Sequence, residues 1–529
     1  MLAAAGRLGR LAFGDFLDRA RRPAYLVVLA TAVGLGYLAV PDTDAHWVLM
    51  RVGDYRGRYD SAYTGMVTAL GAALWLSLGG FYAVRDALAR DERTGVGELL
   101  AASPLHTAGY LAAKFLGNVL VLASMVGVLA GTALVMQVVR DESSSVDPVA
   151  LVAPFLLVTL PVVVLTAAMA LLSETVPALR GGLGNVVWFF AWLVAVLGGM
   201  APGIPLGGLG VHQPVASMRD DLLAQGGQVS EGDFSLGLTY EETPLRVFDW
   251  DGFTPTTGYL LGRATLVLVA VVLVPLPALW FARFDPGRRG GGSGTPAGRH
   301  VAPAAPAEGA RPVMATAFAG RPRTPVRPGR AGGRLLTGEL RILLRGGRWW
   351  WLGLAAITAA GALAPLSGVI RFVLPLAWLW PILRWSRLGS QRHEHGVATL
   401  LDAYPTPHRR TIAEGLAGVC VAALAGLAPL ARLLVAGDWP GVAAWCGGAL
   451  FVPALALALG TLSRSHRLFQ TIYLPLWYVT ANGLPFLDFM GACRIDGALA
   501  GPSPLLFLAS APLLLVAALA TNAARSAAS

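Results

Sequence analysis

The chain has 529 residues, 55% of them hydrophobic and only 14% charged, with a formal net charge of +10. Soluble domains carry roughly 25% charged residues, so this deficit, with repeated apolar runs near the ~20 residues that cross a bilayer, sets aside a large soluble core. The positive balance is of the kind that accumulates on cytoplasmic loops of membrane proteins, and no nucleic-acid partner is expected from it.

In chain order, the opening stretch MLAAAGRLGRLAFGDFLDRARRP is basic and amphipathic. It places Phe13, Phe16, Leu17 and Ala20 on one helical face and lacks a secretory cleavage site. Apolar spans follow near 24–40, 63–84, 110–138, 149–172, 183–200 and 259–281. The loop 201–258, before the sixth, is acidic, with Asp220, Asp221, Glu231, Asp233, Glu241, Glu242, Asp249 and Asp251. Residues 286–333, rich in Pro, Gly, Ala and Arg and without apolar periodicity, predict a disordered basic linker that acts as a solvated tether. A second amphipathic segment then sets Leu336, Leu340 and Leu343 opposite Arg341, Arg345 and Arg348. Further spans are expected near 349–364, 368–385, 412–436, 442–462, 468–487 and 504–522. Arginines at 7, 10, 19, 85, 90, 93, 283, 384, 392, 409, 464 and 525 fall on one side of this arrangement, so both termini are expected in the cytoplasm.

The two sets of spans repeat one another. An offset of 301 residues pairs Gly95 with Gly396, Val96 with Val397, Leu99 with Leu400, Leu100 with Leu401 and Pro104 with Pro405. SETVPALRGGLGNVVW (173–188) resembles SRSHRLFQTIYLPLW (463–477), each between the fourth and fifth spans of its set. The expected fold is all-α and polytopic, about twelve transmembrane helices in two parallel six-helix repeats. Residues 1–285 form the first half, 286–333 the linker and 334–529 the second half.

Between the second and third spans of each half the apolar pattern is interrupted by RDERTGVGELLAASPLH (90–106) and QRHEHGVATLLDAYPTPH (391–408). A helix over 95–101 puts Val96, Leu99 and Leu100 on one face, is preceded by Asp91, Glu92 and Arg93, and stops at Ser103-Pro104. The second copy places Val397, Leu400 and Leu401 likewise and stops at Pro405. A surface helix of this kind can lie on the membrane or dock into another protein's groove, and two copies favour a two-fold partner. The run ARDERTGVGELLAASPLHTAGYLAAK (89–114) resembles the loop of ABC type-2 exporter permeases in which an acidic-basic start, Gly, Glu-Leu-Leu and a Ser/Thr-Pro turn precede the third span. The resemblance implies that this loop is a coupling helix contacting an ATPase. It carries that role to Asp91, Glu92, Arg93, Gly95, Glu98, Leu99, Ser103 and Pro104, and by the repeat to His393, Glu394, Gly396, Leu400, Leu401 and Pro405. The N-terminal segment is similar to the family's elbow helix, and 201–258 to its external re-entrant region. The second copy departs from the pattern, with His393-Glu394-His395 in place of the acidic cluster and Thr399 where Glu98 stands in the first.

No nucleotide site is encoded here. A P-loop requires Gly-x-x-x-x-Gly-Lys-Ser/Thr, whereas the one lysine, Lys114, lies in YLAAKFLG. ATP and Mg are therefore expected on separate cytoplasmic ABC ATPase subunits, two copies per chain, and the chain itself is expected to be neither an enzyme nor a holder of a cofactor. Cys420, Cys446 and Cys493 have no metal-type spacing, and His393, Glu394 and His395 cannot all face one ion from a helix. Trp349, Trp350 and Trp351 fit an interfacial aromatic belt better than a stacking site. Glu174 is expected in a structural salt bridge, and Arg371 to snorkel to the surface. The expected function is the permease subunit of an ATP-driven exporter of a hydrophobic or amphipathic cargo (a drug, lipid or peptide) in a bacterial cytoplasmic membrane. The bias toward Ala, Gly and Arg suits a GC-rich bacterium. An ion-gradient-driven secondary transporter is the alternative, since parallel six-span repeats suit that class as well, although no interior acid or His pair stands out as a relay. A membrane scaffold or receptor using the external loop is a third.

Overall fold

A computed structural model describes residues 2–42, 45, 47–103, 105–143, 145–199, 208–230, 232–240, 245–281, 331–345, 347–394, 396–397, 407–495 and 497–528. Among them, seven helices are long and apolar enough to cross a bilayer: Ser61–Arg93, Thr107–Arg140, Pro148–Thr175, Thr257–Leu279, Leu366–Trp385, Trp439–Ser463 and Pro504–Arg525. Two bent pairs, Gly6–Ala20 with Tyr25–Ala39 and His408–Ala425 with Leu427–Val435, raise the number to nine if each is one span. The chain is thus a helical, membrane-embedded protein. The remaining segments expected to span are shorter helices: Gly182–Gly199, Arg348–Leu363 and Arg467–Ala481. At 1.5 Å per residue the 15 residues of the last reach only ~22 Å, less than the ~30 Å hydrocarbon thickness.

Two compact units emerge from the packing: Met1–Phe284 with Ser465–Leu487, and Asp285–Arg464 with Asp488–Ser529. The Arg467–Ala481 helix, placed by sequence in the second half, therefore packs in the first unit. Linker residues 286–330 lie outside the described residues.

In the first unit, local chemistry sets the helix starts. Asp60 accepts the Tyr63 N–H at 2.8 Å. Asp147 accepts those of Val149 and Ala150 at 2.8 and 3.2 Å, with Pro148 in the first turn, where its missing N–H costs nothing. Two spans widen into π-helix, at Leu76–Gly80 and Phe155–Thr159. The core runs through Phe81, Leu111, Leu122, Leu129, Phe155 and Leu171, all at or near zero exposure.

At one end of these spans lies a sheet that the all-α expectation omitted. Its strand order is Phe234–Tyr240, Trp47–Val52, Tyr55–Gly57, Arg246–Phe248. Trp47 pairs antiparallel with Tyr240, a bulge follows Val48, and Tyr55 pairs parallel with Arg246. The segment 201–258 resembles a re-entrant region in sequence. Its described part forms helix His212–Ala224 and the strands Phe234–Tyr240 and Arg246–Phe248, which pair with Trp47–Val52 and Tyr55–Gly57 and so satisfy their backbone groups. Arg56 and Glu142 lock the sheet to the Thr107–Arg140 helix end, with Nη1 and Nη2 donating at 2.9 and 2.5 Å, and the Tyr59 N–H adds a third bond at 2.9 Å.

In the second unit, the amphipathic helix Ala331–Leu344 buries Leu343 and reaches Arg410 through Glu339 at 2.9 Å. The turn between Arg348–Leu363 and Leu366–Trp385 is held by Arg432, whose guanidinium donates to the carbonyls of Ala364 at 2.9 Å and Ala362 at 3.4 Å. It thereby satisfies acceptors that a helix C-terminus leaves open. Trp350 turns inward while Trp349 and Trp351 stay exposed. Arg371 is exposed within a third π segment, Val369–Val373, its guanidinium 5.7 Å from the Phe372 ring centre.

Candidate coupling site

The segment interrupting the second and third spans of the first unit begins where the long helix ends. Arg85 leaves helical geometry and Asp86 adopts φ +85°, the left-handed region that Asp tolerates better than most residues. A new helix, Ala87–Arg93, starts at once. Its first N–H groups have no intrahelical acceptor, and the buried carboxylate of Glu174, 4% exposed, supplies one. It accepts from the backbone N–H of Asp86 at 2.7 Å, Ala87 at 3.1 Å and Leu88 at 2.7 Å. Glu174 was expected in a salt bridge. Its hydrogen bonds go instead to a helix N-terminus, where the aligned peptide dipoles favour a negative charge.

The inner face of this helix is pinned by charge. Asp91, expected on the partner-facing surface, is 5% exposed and accepts from the Tyr110 hydroxyl at 2.7 Å and Lys114 Nζ at 2.9 Å. Lys114 also pairs with Asp15 of the first amphipathic helix at 2.8 Å, and Asp15 with Arg19 at 2.8 Å and Arg90 at 2.5 Å. Two acids and three cations thus knit the amphipathic helix, the Ala87–Arg93 helix and the start of the Thr107–Arg140 helix together. A cavity of about 410 Å³ opens beside this seam, lined by Arg10, Asp15, Arg22, Arg90, Val96 and Lys114 among others.

Gly95, φ +73° with open space where a Cβ would be, turns the chain into a second short helix, Val96–Ala101. The expected common face of Val96, Leu99 and Leu100 divides. Leu100 packs on the core, while Leu99 and Val96 are 74% and 41% exposed. Six residues make less than two turns, so neighbours one apart diverge. Glu92, Arg93 and Glu98 are exposed, and Arg93 pairs back to Asp86 at 2.8 Å. Ser103 ends the helix, its hydroxyl donating to the Leu100 carbonyl at 2.7 Å. Pro104 lies outside the described residues.

Sequence reasoning missed the residues that tie this segment to a distant helix. Arg467 pairs with Asp86 and donates to the Arg85 carbonyl at 3.2 Å. Arg85 donates to the Asn185 side chain, and Asn185 Nδ2 to Gln470 Oε1 at 2.6 Å. The Gly182–Gly199 and Arg467–Ala481 helices also meet through Phe189 with Tyr478 and Phe190 with Trp477. The available signal was polar side chains placed in apolar helices, which need partners there.

In the second unit, the helix Gln391–Glu394 is followed by Gly396 at φ +66°, again with open space at its Cβ position. The Gly396 N–H donates to the His393 carbonyl at 3.2 Å, and Val397 is exposed. Here too a carboxylate reaches the turn, Glu414 accepting the Gly389 N–H at 2.6 Å. Among the designated coupling residues, His393, Glu394 and Gly396 are therefore adjacent, while Leu400, Leu401 and Pro405 lie outside the described residues, as do His395 and Thr399. Among the described residues no three His, Cys, Asp or Glu side chains converge as for a metal. No family model, curated protein or solved structure matches the chain.

Proposed function

We propose that the chain is the membrane-spanning permease subunit of an ATP-driven exporter of the ABC type-2 kind, energised by ATPase subunits on separate chains. The observation carrying this reading is the two-helix elbow over 87–101. Its inner face is immobilised by Glu174, Lys114 and Leu100, while Leu99, Val96, Glu92 and Glu98 face outward. A membrane helix end that is held rigidly yet presents an exposed leucine between acids has the form of a lever with a docking tip. In this reading both termini, the 87–101 elbow and the corresponding 391–408 segment are cytoplasmic, and twelve segments form two six-helix repeats in a bacterial cytoplasmic membrane. Two features recur in both halves and support it: a left-handed glycine at Gly95 and Gly396, and an ion pair from each amphipathic helix to its third-span helix, Asp15–Lys114 and Glu339–Arg410.

ATP binding on two partner subunits would displace the elbows. The Asp86–Arg467 pair and the Arg85–Asn185–Gln470 chain would pass that displacement to the Gly182–Gly199 and Arg467–Ala481 helices. Export would follow as a shift between two packings biased by nucleotide. The cargo class is hydrophobic or amphipathic, a drug, lipid or peptide, in keeping with the apolar spans.

The test is purification of the tagged chain from its native membrane in mild detergent, with identification of co-eluting proteins and assay of ATP hydrolysis. A stoichiometric P-loop ATPase, lost on Leu99→Asp and Leu400→Asp, is the expected result. A chain that elutes alone and moves solute in liposomes under an ion gradient would overturn the reading.

A further inference from the structure

In the second unit, arginines gather at one end of two consecutive helices with no carboxylate to meet them. Arg348–Leu363 begins and Leu366–Trp385 finishes at that end, where Trp380 Nε1 donates to the Trp350 carbonyl at 3.0 Å. The amphipathic helix Ala331–Leu344 arrives there too, and Arg384 Nη1 donates to the Arg345 carbonyl at 2.8 Å. Arg384 is 6% exposed, its guanidinium 5.2 Å from the Trp350 ring centre. A charge buried this far ordinarily has an ion partner. The charge acting on Arg384 is instead a second cation, the exposed Arg387. Arg341, Arg345 and Arg348 are exposed beside them, and none of these five arginines forms an ion pair among the described residues. The one acid of the amphipathic helix, Glu339, is turned inward to Arg410 at 2.9 Å. The first unit treats its arginines differently: Arg19, Arg22 and Arg90 are all answered by Asp15 or Asp18.

Next to this cluster the outer surface is hydrocarbon. Arg348, Leu352, Ala355, Ala359 and Leu363 follow one another along a single exposed face, a track about 22 Å long with room for an extended acyl tail. Trp349 and Trp351, 70% and 44% exposed, stand where the charged and apolar surfaces meet, the level that indoles favour between headgroup and hydrocarbon. A free anion would use only the arginines; a lipid uses the track as well. Guanidiniums match phosphate oxygens in pairs, and basic pockets between membrane helices take anionic headgroups. From this juxtaposition we infer that the corner binds one anionic phospholipid, its phosphate held by Arg345, Arg348 and Arg384 and a tail lying along Leu352, Ala355, Ala359 and Leu363.

The test uses the full chain in detergent, titrated with phosphatidylglycerol or phosphatidylcholine of equal tails, with bound lipid counted by native mass spectrometry. One phosphatidylglycerol per chain should be retained at concentrations where phosphatidylcholine is lost, and a diazirine-tailed phosphatidylglycerol should mark 352–363. Affinity should fall about fivefold for each arginine removed, in Arg384→Gln and in the double variant Arg345→Gln/Arg348→Gln. The double variant alters exposed side chains only, which keeps the test decisive if Arg384→Gln does not fold. Arg7→Gln, at an exposed arginine of the other amphipathic helix, should change nothing. Equal retention of the two lipids, an equal loss in Arg7→Gln, adducts spread over positions such as Val435 and Leu513, or displacement by equimolar inorganic phosphate would each overturn the assignment. No ATPase enters the test, so its outcome is separate from that of the exporter reading.

Discussion

Three backbone N–H groups converge on one buried carboxylate at Glu174, an arrangement that stabilises a turn rather than a charge pair. Glu174→Ala leaves these donors unpaired, which costs ~1–3 kcal/mol per buried polar group. A lowered thermal midpoint in detergent is expected, with partial recovery in Glu174→Gln, whose amide oxygen still accepts. Lys114 stands in a harsher position. Lys114→Met strands Asp91 without its cation, while Asp15 keeps Arg19 and Arg90, and breaking a buried pair in this way costs about 3–5 kcal/mol. The same variant paired with Asp91→Asn should recover much of the loss, because it neutralises the acid left without a cation while Asp15 keeps Arg19 and Arg90. At the sheet end, burial alone would raise the Glu142 carboxyl, but the bonds from Arg56 and the Tyr59 N–H hold it below the ordinary carboxylate value. A depressed carboxylate stabilises the fold above its unfolded value and ceases to do so as the pH falls through the folded one. Acidification below about 4.5 should loosen the sheet in the wild-type chain, and faster hydrogen exchange of the Trp47–Val52 and Phe234–Tyr240 amides reports it. Glu142→Gln should be weaker at neutral pH and flatter in acid.

At the scale of the element, the 87–101 segment has a packed face and an exposed one. Leu100→Asp places a charge on the core and should destabilise the protein, whereas Leu99→Asp should leave its melting unchanged and, if the proposed ATPase docks here, weaken only that association. Gly95→Ala meets no atom, so its penalty is the left-handed backbone alone, about 1–2 kcal/mol, and Gly396→Ala should match it. Of the twelve apolar segments expected from the sequence, seven are helices long and apolar enough to cross a bilayer among the described residues, or nine with the bent pairs, because hydropathy over a long window reports an apolar helix directly. The elbow was legible as an interruption, yet its inner and outer faces were not. Asp91 looks like a surface acid in RDERTG, and only Lys114 and Tyr110, some twenty residues on, make it an interior one. The Asp86–Arg467 pair spans most of the chain and leaves no local pattern at all. The sheet was missed because Trp47–Val52 and Phe234–Tyr240 are each short and find their partner far along the chain.

The whole molecule does not divide where its sequence does. Cutting the chain at the linker separates the Arg467–Ala481 helix from the unit with which it packs, uncovering Phe189, Asn185 and their partners. Residues 1–330 expressed alone should therefore be polydisperse in fluorescence-detected size exclusion. Co-expression with 331–529 should restore a single peak without the linker's continuity, since the swapped helix reaches its place by packing. A monodisperse 1–330 would contradict this.

The solitary ε-amine of the chain sits at the centre of the Asp15–Lys114–Asp91 seam. Acylating reagents must reach the nitrogen, and the two carboxylates and the helices around them enclose this one. Its rate of acylation is thus a built-in clock for opening of the seam, readable at one peptide without engineering a label.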